Sequence, residues 1–388
     1  LEQNYRSVQP ILNLTNAVIS QAKETFSKTL FSDITSDEMP FYIETKSEHE
    51  QSEFIAQQLL DCRERLDISL NEMAILCRSG YHSNDLEVTL TAHQIPFNKY
   101  GGFRFVEASH VKDVVCFMRL LNHFSDQLSW QRVLGLFSGL GPQSAFVIYE
   151  AIKKNNFSFD LGVINFLEKK SFYTDLKSLV SLFHTLHQNL NPVRVLTLII
   201  DFYKPFFKQK YDNFQKRETD LESLLGIAER FDQVGDFLTE LSLDPPEYSQ
   251  IGVDGADLDD EKVTISTIHS AKGLEWKVVF LISMIDGFLP SMKSLDDEAS
   301  LEEERRLLYV AMTRAKQSLY IIKPNHVMGA SMHYQGGFKL LEPSRFLTDN
   351  GQLMDFTQRC ALVDQDTMVV DDEFENQVAS PSRRRFNL

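Results

Sequence analysis

The alternation of apolar and polar residues predicts an α/β arrangement near the start of the chain. Two short apolar runs, FYIE at 41–44 and MAILC at 73–77, are typical of strands buried in a parallel sheet. Between them the apolar residues recur at helical spacing, and a capping box at Ser47 marks where this helix begins. A second helix is predicted near 84–93, before a proline that ends it.

The α/β pattern returns only near the other end, with apolar runs at 263–268, 278–282 and 319–322. From 111 to 243 the spacing is helical almost throughout. We therefore predict a parallel α/β domain that is interrupted by an all-helical insertion. The predicted parts are a first α/β segment 1–110, a helical insertion 111–258, a second α/β segment 259–348 and an acidic, flexible tail 349–388.

Composition narrows the class of protein. With 388 residues, 43% hydrophobic and 24% charged, the chain can bury a large core, which excludes disordered and fibrous classes. No run approaches the roughly 20 apolar residues that span a bilayer, and the first residues lack a secretory signal, so we expect a cytoplasmic protein with no membrane partner. The four cysteines form no Cys-x-x-Cys pair, which favours reduced thiols and no metal site.

Charge argues at first against a nucleic-acid partner. The formal net charge is −16, whereas proteins that bind phosphates usually carry a basic surplus. Much of the acid, however, lies in three short runs, at 254–261, 296–304 and 364–375. Binding depends on the charge of the local groove, so the acidic total does not exclude such a partner.

Three motifs point to one family. In chain order they are LEQNYRS at 1–7, STIHSAKGLEWKVVFL at 266–281 and EEERRLLYVAMTRAK at 302–316. Together they resemble motifs IV, V and VI of the UvrD/Rep-type superfamily 1 DNA helicases. YGGFRFVEASHVKD at 100–113 and PSRF at 343–346 resemble further segments of that family, so the resemblance covers most of the chain. It implies a RecA-like parallel sheet with helices on both faces, and an ATP-driven DNA translocase of 3′ to 5′ polarity.

The motifs contain residues suited to binding a nucleotide. An arginine keeps its charge and can bridge phosphate oxygens with its planar fork, which suits the developing charge on a γ-phosphate. The resemblance implies that Arg6 and Arg314 act as such catalytic arginines. It also implies that Tyr5 stacks on adenine and that Glu275 accepts the ribose hydroxyls. Lys272 and Gly273 would let the backbone approach the nucleotide closely.

A second group of residues is predicted to contact DNA. Neutral donors at the carboxyl end of a parallel strand can hold the phosphates of a single strand. By resemblance this group comprises Thr267, His269, Ser270, Gly101, Gly102 and Arg104. In the insertion, Gly139 and Gly141 resemble the turn of a helix-hairpin-helix, which can grip a duplex backbone. Single-stranded DNA and a junction between single and double strands are therefore the expected partners.

Two elements of an ATPase are missing from the sequence. The chain contains no Gly-Lys dipeptide and hence no phosphate-cradling loop. Asp297 and Glu298 mimic an acidic pair for Mg²⁺, but no buried strand precedes them. Since the chain also begins with Leu rather than Met, we expect a piece of a longer protein whose preceding RecA-like domain carries both elements.

It follows that ATP with Mg²⁺ would act only in the longer protein. This chain alone is predicted to bind neither tightly and to hydrolyse no ATP. The alternative is a non-catalytic DNA-binding or regulatory platform, which salt-sensitive DNA binding without ATP would favour.

Overall fold

The computed structural model describes residues 2–23, 29–102, 104–188, 191–242, 261–327, 341–348, 355–364 and 367–370. The chain divides into two compact units. One comprises Leu1–Phe103 with Asp244–Leu388, and the other comprises Arg104–Leu243. The helical unit thus begins at Arg104, ahead of the predicted residue 111, while the predicted end at 258 lies outside the described residues.

The elements of the described residues follow in chain order. The helices are α1 (Gln9–Ser20), α2 (Glu48–Leu66), α3 (Asn84–Ala92), α4 (Ser109–Asn122), α5 (Gln127–Leu134), α6 (Pro142–Lys154), α7 (Leu161–Ile164), α8 (Tyr173–Leu186), α9 (Pro192–Lys210), α10 (Phe214–Ala228), α11 (Val234–Ser242), α12 (Glu298–Met312) and α13 (Arg345–Thr348). The strands are β1 (Phe41–Thr45), β2 (Met73–Cys77), β3 (Phe97–Tyr100), β4 (Val263–Thr267), β5 (Trp276–Leu281), β6 (Ala315–Pro324), β7 (Gln358–Asp364) and β8 (Thr367–Val370).

All the strands described belong to one sheet, with the order β3-β4-β2-β5-β6-β1-β7-β8. Each neighbouring pair is parallel except β7 and β8, which are antiparallel. In the centre, Ile75 of β2 lies opposite Ile265 of β4 and Phe280 of β5. The predicted fold class, a parallel α/β sheet with a helical insertion, is confirmed.

Helices cover both faces of this sheet, which explains the continuous apolar runs of its central strands. On β2, Ala74 and Leu76 pack in one core cluster with residues of α1 and α12. The alternate residues Met73 and Ile75 pack in a second cluster with residues of α2 and α3. A strand that is buried on both faces needs apolar residues at every position.

Local signals fix where the helices begin. The Ser47 hydroxyl accepts a hydrogen bond from the backbone N–H of Glu50 at 3.1 Å, as the predicted capping box requires, and α2 starts there. Asp297 caps α12 in the same way, with its carboxylate accepting from the N–H of Ser300 at 3.0 Å. Each cap satisfies a backbone donor that the first helical turn leaves unpaired.

Part of the segment 349–388, for which the sequence predicts a flexible tail, forms strands. Residues 358–364 form β7, which pairs with β1, and residues 367–370 form β8. The sequences of these strands, QRCALVD and TMVV, are not themselves acidic, and the tail was inferred from the acidic residues that flank them. The rest of the segment from 371 on, including the basic run near the last residue, lies outside the described residues.

The helical unit contains α4 to α11 and is organised around a buried carboxylate on α4. Asp113 accepts hydrogen bonds from Arg132 Nε at 2.7 Å, from the Tyr203 hydroxyl at 2.7 Å and from Lys210 Nζ at 2.8 Å. These partners come from α5 and α9, so one buried charge ties three helices together. The prediction of a helical block in the middle of the chain is confirmed.

Two further properties concern the described residues only. None of their helices is both long and apolar enough to cross a membrane. All four cysteines are buried and unpaired with one another, and burial raises the pKa of the Cys77 thiol to about 12.

Candidate functional site

The first part of the site lies at the amino ends of β5 and β6. Arg314 directly precedes β6, and its backbone carbonyl accepts the N–H of Trp276, the first residue of β5, at 3.0 Å. Its guanidinium donates from Nη1 to the Leu274 carbonyl at 2.9 Å and from Nε to the Val310 carbonyl at 3.1 Å. Arg314 is therefore held against the turn before β5 by neutral carbonyl groups.

The segment before α1 brings Arg6 to the same place. The Asn4 side chain accepts the backbone N–H groups of Arg6 and Ser7, at 2.7 and 2.9 Å, and shapes a tight turn. The buried Ser7 hydroxyl then donates to the Ala315 carbonyl at 2.6 Å. Arg6 extends from this anchored turn and forms an ion pair with Glu275 through its Nε atom.

Glu275 pairs with Arg6 and with a lysine beside the Arg314 side chain, which forms one charged cluster. Its second carboxylate oxygen lies 2.8 Å from Lys316 Nζ. Hydrogen bonds from Lys316 and then from Arg6 lower the pKa of Glu275. Partial burial and the positive charge of Arg6 lower the pKa of Arg314. The structure thus brings together Arg6, Arg314 and Glu275, which the sequence proposed for one site.

The remaining predicted nucleotide contacts surround this cluster. Tyr5 is 77% exposed, and its hydroxyl donates to the Gln3 side chain at 2.6 Å, which leaves the aromatic ring accessible. Lys272 and Gly273 are exposed in the turn between β4 and β5. Gly273 has φ +91°, and no atom lies within 4 Å of a Cβ placed there. Backbone conformation, rather than crowding, therefore calls for glycine at this position.

The second part of the site lies at the opposite edge of the sheet, where β3 and β4 end. Gly101 has φ +92°, and a Cβ there would lie 2.9 Å from Thr267 Oγ1 and 3.0 Å from Ser270 Oγ. The Thr267 and Ser270 hydroxyls are themselves 3.0 Å apart. Gly101 is thus required both by its conformation and by the close approach of two hydroxyls.

Of the other predicted DNA contacts, Gly102 and His269 are exposed at this same edge. Partial burial and the charge of Arg78 lower the pKa of His269, so its ring is neutral near neutral pH. Arg104 is the first residue of the helical unit, where it pairs with Glu107 at 3.9 Å.

The predicted hairpin lies between α5 and α6 in the helical unit. Gly139 has φ +82°, and Gly141 is the N-cap of α6, followed by Pro142. Both glycines are exposed, whereas Phe137 and Leu140 are buried and anchor the turn. The turn therefore presents backbone groups to solvent at the start of a helix, as a helix-hairpin-helix does.

Sequence reasoning missed two charged contacts. Lys316 stands in the third motif without an assigned role, although it holds Glu275. At the carboxyl edge, Arg78 donates from Nε to both oxygens of the buried Glu304, at 3.0 and 2.8 Å. The available signals were the position of Arg78 directly after the MAILC strand and that of Glu304 inside a motif.

The acidic pair that mimics a magnesium site has other contacts. Asp297 caps α12, and Glu298 forms an ion pair with Lys23. Within the described residues, no group of three or more His, Cys, Asp or Glu side chains could hold a metal ion.

Fold, motifs and clustered charges agree with the comparison against known proteins. The chain belongs to the family described as the UvrD-like helicase C-terminal domain, whose model matches residues 1–326. It is 30% identical over 366 residues to the ATP-dependent DNA helicase PcrA of Leuconostoc citreum, covering 90% of this chain and 48% of that protein. It is 31% identical over 365 residues to a probable DNA helicase II homolog of Rickettsia felis, covering 90% of this chain and 54% of that protein.

A PcrA of Staphylococcus aureus is 31% identical over 353 residues, which cover 83% of this chain and 46% of that helicase. The chain therefore spans about half the length of these relatives.

Proposed function

We propose that this chain is the C-terminal half of an ATP-dependent DNA helicase and supplies one wall of its nucleotide cleft. The observation that supports this proposal is the meeting of Arg6, Arg314 and Glu275 at the amino ends of β5 and β6. These groups come from distant parts of the sequence, and both arginines contact the turn before β5 that contains Glu275. Two guanidinium groups beside an acceptor carboxylate match the phosphate and ribose ends of a nucleotide.

In this proposal Arg6 and Arg314 contact the γ-phosphate and stabilise the charge that develops as it is transferred to water. Tyr5 stacks on adenine, Glu275 accepts the ribose hydroxyls, and the turn at Lys272 and Gly273 lets the backbone approach. The Mg²⁺ ion would neutralise phosphate charge. We assign its ligands and the phosphate-cradling loop to a preceding RecA-like domain, because this sequence has no Gly-Lys dipeptide.

The opposite edge of the sheet is proposed to follow single-stranded DNA. Thr267, Ser270 and His269 offer neutral donors to phosphates, and Gly101 and Gly102 let the strand approach the backbone. Arg104 would add a phosphate contact, and the turn at Gly139 and Gly141 would hold the duplex side of a junction. Closure of the two RecA-like domains on ATP would then move one strand in the 3′ to 5′ direction, by family resemblance.

Arginine variants of the longer protein test this proposal. Arg314→Ala or Arg6→Ala should lower the DNA-stimulated ATPase rate by about 10³-fold, the effect expected of a catalytic arginine. Arg306→Ala is a matched control, because Arg306 lies on α12, which ends at Met312 shortly before Arg314, and pairs with Glu303 at 3.4 Å. Near-normal turnover in both test variants would refute the proposed roles.

The chain by itself provides a second test. We expect no ATP hydrolysis from residues 1–388, and recovery of turnover when a separately made N-terminal half is added. An ATPase activity of this chain alone that depends on Arg6 would contradict the proposal that a preceding domain supplies the phosphate-cradling loop and the Mg²⁺ ligands.

A further inference from the structure

The Glu275 carboxylate is held by two cations of different origin. Lys316 Nζ lies 2.8 Å from one oxygen, and Arg6 Nε pairs with the other. Lys316 belongs to β6, a central strand of the sheet, whereas Arg6 comes from the segment before α1. A carboxylate with one cation on each oxygen is fixed in both position and orientation.

The proposed function gives Arg6 a second partner that it cannot reach from its present one. The ribose and the γ-phosphate lie at opposite ends of the triphosphate chain of ATP. A guanidinium that remains on a ribose-binding carboxylate therefore cannot contact the γ-phosphate. Arg6 must leave Glu275 when a nucleotide binds, and the carboxylate then keeps only its bond to Lys316.

We propose that Lys316 is a positioning residue, which holds the Glu275 carboxylate ready for the ribose hydroxyls while Arg6 moves to the phosphate. This inference rests on the proposed function. A carboxylate has about four lone-pair sites, so the oxygen bound to Lys316 can also accept from a hydroxyl, and the oxygen released by Arg6 can accept from the other. Lys316 also makes the largest contribution to the lowered pKa of Glu275, which agrees with a close contact between the two side chains.

The ion pair is not needed for the fold. The side chains of Lys316 and Glu275 are each 38% exposed, and pairs that water can reach contribute little to stability. A neighbouring pair provides a matched control. Lys277 Nζ lies 2.8 Å from Glu72, with both side chains 37% exposed, so it has the same geometry and exposure without touching Glu275.

The test compares two nucleotides in the longer protein that contains this chain. ATPase kinetics are measured with ATP and with 2′,3′-dideoxyATP, which lacks both ribose hydroxyls. Lys316→Met should raise KM for ATP by roughly tenfold with kcat little changed, since a charge-assisted contact to the ribose is lost. KM for the dideoxy nucleotide should stay the same. Lys316→Arg should preserve the preference for ATP over the dideoxy nucleotide, and Lys277→Met should have the wild-type KM for both. Adding Glu275→Gln to Lys316→Met should raise KM for ATP little further.

Two results would overturn the role of Lys316. One is an unchanged KM for ATP in Lys316→Met, and the other is an equal rise in KM for both nucleotides. These results are separable from failure of the proposed function, in which Arg6→Ala and Arg314→Ala would retain full turnover. If those arginine variants are inactive while Lys316→Met still prefers ATP to the dideoxy nucleotide as the wild type does, only the positioning role of Lys316 is refuted.

Discussion

Two charged residues in the segment that joins β5 to β6 have different surroundings: Glu304 lies within α12, and Arg314 lies just past its last residue, Met312. The helix connects β5 to β6 and therefore crosses from the carboxyl edge of the sheet to its amino edge. At the first edge, Glu304 is 5% exposed and is neutralised by Arg78, with help from the Ser294 hydroxyl at 3.3 Å. At the second edge, Arg314 is bonded to neutral carbonyls beside another cation.

This difference separates a structural charge from one available to a ligand. Glu304 and Arg78 cancel each other inside the protein, whereas the Glu275 carboxylate pairs with both Arg6 and Lys316, and Arg314 lies beside them, bonded to the Leu274 carbonyl. Three positive groups and one negative group leave a local surplus of positive charge in a chain whose net charge is −16. A local site of this kind can attract phosphate despite the acidic total.

The sharpest test of the comparison removes each of these two charges in turn. Glu304→Ala should lower the free energy of unfolding by about 3 kcal/mol, because it leaves Arg78 without its buried partner. Arg314→Ala should change that free energy by less than about 1 kcal/mol, since only bonds to carbonyls are lost and repulsion from Arg6 is relieved. Urea unfolding of this chain measures both values. Equal losses of unfolding free energy would show that Glu304 and Arg314 do not differ in this way.

A histidine near the ion pair of Arg78 and Glu304 provides a test by pH. His82 is buried, its ring stacks on Phe288 with centroids 4.2 Å apart, and neither ring nitrogen has a hydrogen-bond partner among the described residues. Burial and the nearby Arg78 charge lower the pKa of His82 to about 3. Because the folded state resists protonation, acid favours the unfolded state as pH falls below the ordinary value of 6.5, and continues to do so down to about 3.

Between pH 7 and pH 5, the His82 contribution should lower the free energy of unfolding by about 2 kcal/mol. His82→Phe keeps the aromatic stack and should remove this part of the pH dependence. The measurement is the slope of unfolding free energy against pH in both proteins. Identical slopes would mean that His82 has the same pKa in the folded and unfolded states, and hence that water reaches its ring in the folded protein.

A smaller effect is expected at the edge proposed for DNA. Gly101→Ala should cost about 1 kcal/mol, because φ is +92° and the new Cβ would crowd the Thr267 hydroxyl. In the longer protein it should also weaken binding of single-stranded DNA. Gly80→Ala is the control: the nearest neighbour of its new Cβ would be the Gly101 carbonyl oxygen at 3.9 Å. If both variants bind DNA equally well, measured by fluorescence anisotropy, Gly101 does not shape the proposed strand path.

Sequence reasoning predicted the parts of the fold that are covered on both faces. The runs that became β2, β4 and β5 were visible because burial on two sides requires apolar residues at each position. Strand β3, with the sequence FNKY, was missed because it lies at the sheet edge and keeps polar residues exposed. Strands β7 and β8 were missed because the acidic residues around them favoured a solvated tail, although TMVV in β8 is rich in β-branched residues.

The candidate site shows the same limit. Arg6, Arg314 and Glu275 came from family resemblance, and the structure places them together. The contact between Glu275 and Lys316 could not be predicted from the sequence. Glu275 directly precedes β5 and Lys316 is the second residue of β6, so they meet only because these two strands are neighbours. The Arg78 to Glu304 contact likewise depends on how α12 crosses the sheet.

The pairing of β7 with β1 also shields the flank of the sheet. Phe41 lies opposite Gln358 in this ladder, and Cys360 is buried beneath it. A shortened protein that stopped at residue 348 would keep all three family motifs yet bare the hydrogen-bonding groups of β1. Uncovered strands recruit other chains, so such a version would be prone to aggregate. We therefore expect β7 and β8 to protect the protein from self-association by covering β1.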